Sequence, residues 1–271
     1  MKRGYLLVGL LLGAASAGQT VDRPAFRQGE DLVFVIRWGV LTGGYATLTI
    51  PSIDVVQGSP AFHILSEARS TGIVDTFYKV RDRNEAWLDT TLPRSLRYSK
   101  KIQEGSYRVD QVVELDQAAR QFHMTEVRHD KDLTEDKRGG IPANVLDILG
   151  SLYYVRTLPL EVGKSFTIDV HSGEKTWPLV VKIKNRERVT VKAGAFDCYR
   201  VEPVLREPGI FISKGKKLEV WLTADARRMP VLMRSEIFIG HVSAELVRQT
   251  IPPENEHPQL ASSAPPIPDR F

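Results

Sequence analysis

Residues 31–38 read Asp-Leu-Val-Phe-Val-Ile-Arg-Trp. Leu32, Phe34, Ile36 and Trp38 recur at every second position, so an extended chain places them on one apolar face. A period of two fits a half-buried strand and no helix. Gly43-Gly44 follows as a turn signal, and residues 45–50 read as the hairpin partner. The same alternation returns at 61–70, 77–89, 107–116 and 121–129. A second group lies at 165–171, 177–184, 188–191, 196–205, 217–223, 231–239 and 242–248. Gly, Pro, Ser and Asn separate these runs.

One segment carries helical periodicity. Asn144 is expected to cap a helix over about 144–157, with Asp147 favouring its positive end. Val145, Ile148, Leu149, Leu152 and Val155 then share a face, and Pro159 stops the run. Residues 130–140 (DKDLTEDKRGG) have no apolar period and are expected to form a solvated loop. About a dozen strands and one helix define a mainly β fold: a strongly curved antiparallel sheet, or open barrel or roll, around one central α-helix. Two β subdomains joined by the helix are the alternative.

The ends of the chain differ from this domain. Lys2 and Arg3, the apolar stretch 5–12 and Ala15-Ser16-Ala17 have the form of a secretory signal peptide over 1–17, cleaved near Ala17. No apolar run reaches the roughly 20 residues of a spanning helix, so the protein is not expected to span a membrane. The β-rich domain is expected over 18–250. Residues 251–271 hold six prolines and are expected to form an extended, disordered tail that could serve as a peptide ligand for a partner.

The 271 residues are 42% apolar and 26% charged, the composition of a globular domain. Cleavage would remove two of the 37 basic residues and none of the 33 acidic ones, lowering the formal charge from +4 to +2. So small a balance gives no electrostatic footprint for nucleic acid. The single cysteine, Cys198, excludes an internal disulfide and a cysteine-rich zinc site, and its apolar strand makes it a core residue. Export without disulfides fits a periplasm. His123 and His129 lack a third ligand and read as surface residues; no metal or cofactor is expected.

Two strands place polar residues on an otherwise apolar face. In 78–88, Asp82 and Asn84 interrupt the face of Tyr78, Val80, Ala86 and Leu88; in 196–204, Arg200 and Glu202 follow Phe196 and Cys198. An inward carboxylate must be paired, hydrogen-bonded or solvated. Asp82 therefore reaches solvent at a sheet edge, pairs with an interior arginine such as Arg200, or lines a polar cavity. These four residues are the candidate ligand-binding set. Lys182, Lys184, Arg186 and Arg188, with Asn185 as a turn, form a basic patch suited to anionic envelope material, or else a solvated hairpin. Tyr153, Tyr154, Trp177 and Trp221 are aromatic candidates for stacking, although strand aromatics usually fill cores. No nucleophile elbow, metalloprotease helix, P-loop or dinucleotide fingerprint is present.

Several stretches together resemble a family of exported bacterial proteins, domain of unknown function 3108. They are Gly29-Glu30 before residues 32–38, Gly43-Gly44 with Ala46-Thr47-Leu48, and residues 147–156 (DILGSLYYVR). Residues 194–198 (GAFDC) and Val220-Trp221-Leu222-Thr223 follow, with Asp225, Arg228, Pro230-Val231, Gly240 and Glu245-Leu246. The resemblance covers about residues 28–248 and implies an exported, β-rich protein with no catalytic residues to transfer. The family's Asp-x-x-x-Ser-x-x-Tyr-x-x-Arg helix is matched by Asp147, Ser151 and Tyr154. Arg156 lies one position earlier than that spacing, so it inherits no role. The leading expectation is a periplasmic β protein that binds an envelope component or amphipathic ligand in the curve of its sheet. An envelope assembly or interaction protein without a small-molecule ligand is the alternative. The second alternative is a hydrolase using dispersed acids such as Asp82 and Asp225.

Overall fold

The computed structural model describes residues 25–205, 217–236 and 240–253. The expected leader, 1–17, and most of the Pro-rich tail lie outside the described residues. Among the described residues, fourteen antiparallel strands form one sheet. They are β1 Asp31–Trp38, β2 Leu41–Val56, β3 Ser59–Ser70, β4 Arg81–Asp89, β5 Ser95–Glu104, β6 Tyr107–Asp116, β7 Gln121–Arg128 and β8 Leu133–Gly140. The second run is β9 Ser165–Ser172, β10 Lys175–Val191, β11 Gly194–Leu205, β12 Leu218–Thr223, β13 Pro230–Glu236 and β14 His241–Thr250. Helix α1 spans Gly72–Phe77 and α2 Ile148–Thr157. In space the strands run β8 to β1, then β14 down to β9. Each half is a meander, and the pairing of β1 with β14 joins them. The curved, mainly antiparallel architecture expected from the sequence is the one observed.

The concave side is filled. Tyr153 and Val155 of α2 pack with Ile50, Ile64, Ala86, Leu88, Val181, Ile183, Val201 and Leu222 in one core cluster. Leu149 and Leu152 also reach a second cluster around Phe34, Leu48, Trp221 and Leu246. The segment before α2 fastens the two ends of the sheet together. Leu146 bridges Val170 of β9 in parallel. On its other side, the Val145 carbonyl accepts from Ser95 N (3.0 Å) and from Gln117 Nε2 (3.0 Å). Phe122 of β7 lies against His171 of β9 at 4.6 Å between ring centroids. This zipper supplies partners for backbone groups that an open edge would leave unpaired.

Several local expectations are corrected. Asp147, not Asn144, caps α2: its carboxylate accepts from Leu149 N (2.8 Å) and Gly150 N (3.0 Å), while Asn144 has φ 58° in the preceding turn. Val145 is buried, but in the zipper and not in the helix. Gly43-Gly44 is not the hairpin turn; Gly39-Val40 is, and the β1–β2 register shifts opposite Gly43. Residues 130–140 contain β8, a charged edge strand whose cross-strand bonds outweigh its lack of apolar period. The strand β5 (SLRYSKKIQE) was not foreseen, because its lysines hide the alternation of Leu96, Tyr98 and Ile102. Residues 77–80 do not belong to β4, because a second helix, α1, occupies the connection. Asn185 marks no turn; it sits after a bulge inside the continuous β10.

Candidate functional site

Antiparallel register places the β1–β2 turn, the β3–β4 connection with α1, and the start of β14 at one end of the sheet. On the concave face there, successive strands present small side chains. Ala46 pairs with both Phe34 and Ala68, Gly44 with Ile36 and Ser70, and Ala244 with Ile36. One layer deeper, Leu48, Ile50, Ile64 and Leu246 fill the same face. The change from large to small side chains leaves a groove of about 470 Å³. Ile36, Gly44, Ala68, Val242 and Trp38 line its wall, and Val74, Tyr78 and Val80 of the α1 connection border it. Gly44 is required by contact: a Cβ there would lie 2.0 Å from the Arg69 carbonyl oxygen.

A polar lock holds α1. Ser70 donates to Asp75 Oδ1 (2.6 Å) and accepts from Val80 N (2.8 Å). Arg81 donates to both Asp75 oxygens, at 2.7 and 3.1 Å. These contacts, led by the Arg81 bond, hold the Asp75 carboxyl at about 2. No residue of α1 is buried, so Ile73 and Phe77 face outward. Arg37 turns to Glu245 (3.2 Å), whereas Arg69 is exposed beside the groove and forms no ion pair among the described residues.

The inner wall continues from the groove as a polar band. Residues of β4 to β7 that share the face of Ala86, Tyr98, Val113 and Met124 become polar toward this end: Asp82, Asn84, Lys100, Gln111 and Glu126. Asp82 is half-buried and accepts from Gln103 N at 3.0 Å. Burial, with the Glu104 carboxylate beside it, pushes its carboxyl up to about 7. Tyr78 donates to that same Glu104 (3.4 Å), so the groove and the polar band meet at this pair. Burial lowers the Lys100 ammonium. Gln111 donates to Glu126.

The four expected binding residues do not converge. Asp82 and Asn84 lie on the band, on the core-facing side of β4. Arg200 directly precedes the core residue Val201 and so lies on the opposite face of the sheet, with Glu219 at 3.3 Å and Glu187 at 3.9 Å. The Asp82–Arg200 pair is therefore not formed, because alternation carries the two residues to opposite faces. Glu202 pairs with Lys184 (3.4 Å). Arg188 and Arg186 face Asp197 at 3.5 and 3.9 Å, and Lys182 is exposed. Cross-strand carboxylates thus offset much of the basic patch. A cleft of about 370 Å³ beside Arg186 and Arg188 also holds Asp197 and Asp225. Asp225 is bound by Thr223 and Arg227. It lies at the end of the sheet opposite Asp82, so the two acids share no site.

Other polar groups resolve into structure. Ser52, His63 and Glu85 form a chain with contacts of 3.4 and 3.0 Å, but Glu85 also binds Arg83 and Ser99, and His63 stacks on Trp87. It is a cross-strand ladder, not a cleft. His123 and His129 pair with Asp136 and Asp110. Cys198 is fully buried, and burial pushes its thiol up to about 12. Tyr153 and Trp221 are core residues, as strand and helix aromatics commonly are. Among the described residues, no His/Cys/Asp/Glu group is placed to hold a metal ion, and no helix is long and apolar enough to cross a membrane.

The groove and α1 were not anticipated from the sequence. The signal was present in Gly43-Gly44-x-Ala46 and Ala68-x-Ser70, where small residues occupy the inward positions. Arg156 was also given no role. It is fully buried, donates to both Glu30 oxygens at 2.7 Å, and pins the end of α2 to the residues before β1.

Comparison with curated protein sequences found no match. Among solved structures, the chain resembles a β-barrel-like protein of domain of unknown function DUF1849 from Brucella abortus. That likeness has a TM-score of 0.50 and 11% identity, covering 83% of this chain and 98% of that one. It also aligns with a candidate lipoprotein from Parabacteroides distasonis at a TM-score of 0.32 and 7% identity, covering 84% and 98%. The first likeness shows a shared β-barrel-like fold. A family model, protein of unknown function DUF3108, matches residues 33–247, and the chain belongs to that family.

Proposed function

We propose that this is an exported periplasmic protein that binds an amphipathic envelope ligand at the open end of its curved sheet. The observation that carries the reading is the small inward residues Gly44 and Ala68, which line the groove above a core that Ala46 and Ala244 help to close. Its volume falls within the roughly 300–1,000 Å³ common for small-ligand sites. The ligand's apolar part lies along Ile36, Ala68, Val74 and Val242. Its polar part meets the band of Asp82, Asn84 and Lys100. Arg200 and Glu202 are not needed, since they occupy other surfaces. The basic leader, its short apolar stretch and Ala15-Ser16-Ala17 support export with cleavage near Ala17.

A dansyl-labelled fatty acid tests the site by fluorescence titration. The wild type is expected to bind it saturably. Ala68→Leu and Ala68→Phe, which fill the groove, should lose binding while circular dichroism stays unchanged. Equal binding by wild type and both variants would remove the groove from the reading. Native mass spectrometry of protein purified from its own envelope should find a co-purifying lipid in the wild type and less in Ala68→Phe.

A further inference from the structure

The helix α1 has its polarity reversed. A surface helix ordinarily buries its apolar stripe and shows its charges to water. Here the anchoring group is polar: Asp75 is fastened to Ser70 and Arg81. The large apolar side chains point away, with Phe77 82% and Ile73 69% exposed. The neighbouring β1–β2 turn adds Val40 at 91% and Leu41 at 55%. Other exposed apolar side chains among the described residues, such as Val55, Leu92, Val112 and Val162, lie away from this end of the sheet. An isolated apolar residue is ordinary; a contiguous set on projecting tips marks a contact surface.

Charge identifies the contact. Asp75 is neutralised by Arg81, and Glu245 by Arg37, while Glu104 lies on the inner band beside Asp82 and accepts from Tyr78. Arg69 and Lys79 flank α1, both exposed and both without an ion pair among the described residues. Apolar tips beside unpaired cations match the acyl boundary and phosphate layer of an anionic bilayer. Trp38 and Tyr78, half-exposed at the same rim, are residue types favoured at that interface.

We propose that this rim seats on the surface of an anionic lipid bilayer, with Val40, Leu41, Ile73 and Phe77 entering the headgroup boundary and Arg69 and Lys79 meeting lipid phosphates. The inference rests on the groove as an amphipath site, because docking in this orientation turns the groove toward the lipid from which its ligand would come. It is a separate surface, however, and it fails separately.

Vesicle co-sedimentation tests it, using phosphatidylcholine alone and phosphatidylcholine mixed with phosphatidylglycerol. The wild type should sediment with the anionic vesicles and lose binding as salt rises. The triple variant Val40→Ser, Ile73→Ser, Phe77→Ser should bind at least about tenfold more weakly. Arg69→Gln with Lys79→Gln should lose the preference for phosphatidylglycerol. Ala68→Phe should sediment like the wild type even where it no longer takes up the dansyl fatty acid. Wild-type protein that stays in the supernatant would overturn docking and leave the groove reading standing. So would a triple variant that binds like the wild type. Light scattering that shows a wild-type dimer dissociated by the triple variant would assign the rim to a second copy of the chain instead.

Discussion

The two helices of this protein are built in opposite senses. α2 lies inside the sheet, and its C-terminal turn carries a charge: Arg156 is fully buried yet satisfied by Glu30, by the Ala25 carbonyl (3.1 Å) and by the Arg227 carbonyl (3.2 Å). α1 lies outside, held by an ion pair, with its apolar residues in water. In α2 the buried charges of Arg156 and Asp147 have partners within the chain, and of its buried side-chain polar groups the Tyr153 hydroxyl is left without one among the described residues. In α1 the polar group is partnered and the apolar ones are not. The contrast separates what holds the fold from what is left available for binding.

The largest effect should come from breaking the buried end of that comparison. Arg156→Met leaves Glu30 buried without its guanidinium and should cost about 3–5 kcal/mol in urea unfolding. Adding Glu30→Leu should recover part of this loss, since the isolated charge is then gone. If the double variant is as unstable as the single, the geometry of the carbonyl contacts, not the ion pair, governs the site.

Capping comes next. Asp147→Ala removes two N–H partners of α2 and the Ser95 bond, at a cost of about 2 kcal/mol. Asp147→Asn should retain most of the stability, because an amide oxygen still accepts.

The polar band between the two regions predicts a pH effect of middle size. The folded Asp82 carboxyl, at about 7, lies above its ordinary 3.8, so the folded state holds the extra proton between those values. Stability should therefore fall as pH rises through that window. Allowing for the solvent that reaches this half-buried group, the fall is about 1 kcal/mol, and Asp82→Asn should flatten it. A wild-type stability curve with no slope there would remove the proton from Asp82.

The smallest effect belongs to α1. Ile73→Ser and Phe77→Ser should each change unfolding stability by less than about 0.5 kcal/mol, because neither side chain is buried. A loss as large as that at Asp147 would mean that these residues pack in solution, and the contrast between the helices would disappear.

Legibility followed the same division. Alternation alone located β1, β6, β7, β9 and β14 to within a residue or two, because one face of each is apolar. It missed both β8 and β5, where lysines and acids obscure the period and only cross-strand bonding decides. Asp82 and Asn84 were legible as inward polar residues; their neighbours Lys100, Gln111 and Glu126 were not, since they belong to strands distant in sequence. The groove was illegible for a related reason. Gly44, Ala68 and Val242 are unremarkable singly, and they border a space only when β2, β3 and β14 set them on one concave face.

The amino-acid sequence by itself determined the β-rich class, the position of the main helix, the core placement of Cys198 and the family, since these rest on local period and ordered short matches. Tertiary structure alone decided that Arg156 finds Glu30, that Asp82 and Arg200 part to opposite faces, and that α1 turns its apolar side outward. Each of those outcomes depends on register and curvature, which are set by pairings across the whole sheet and are not written in any one segment.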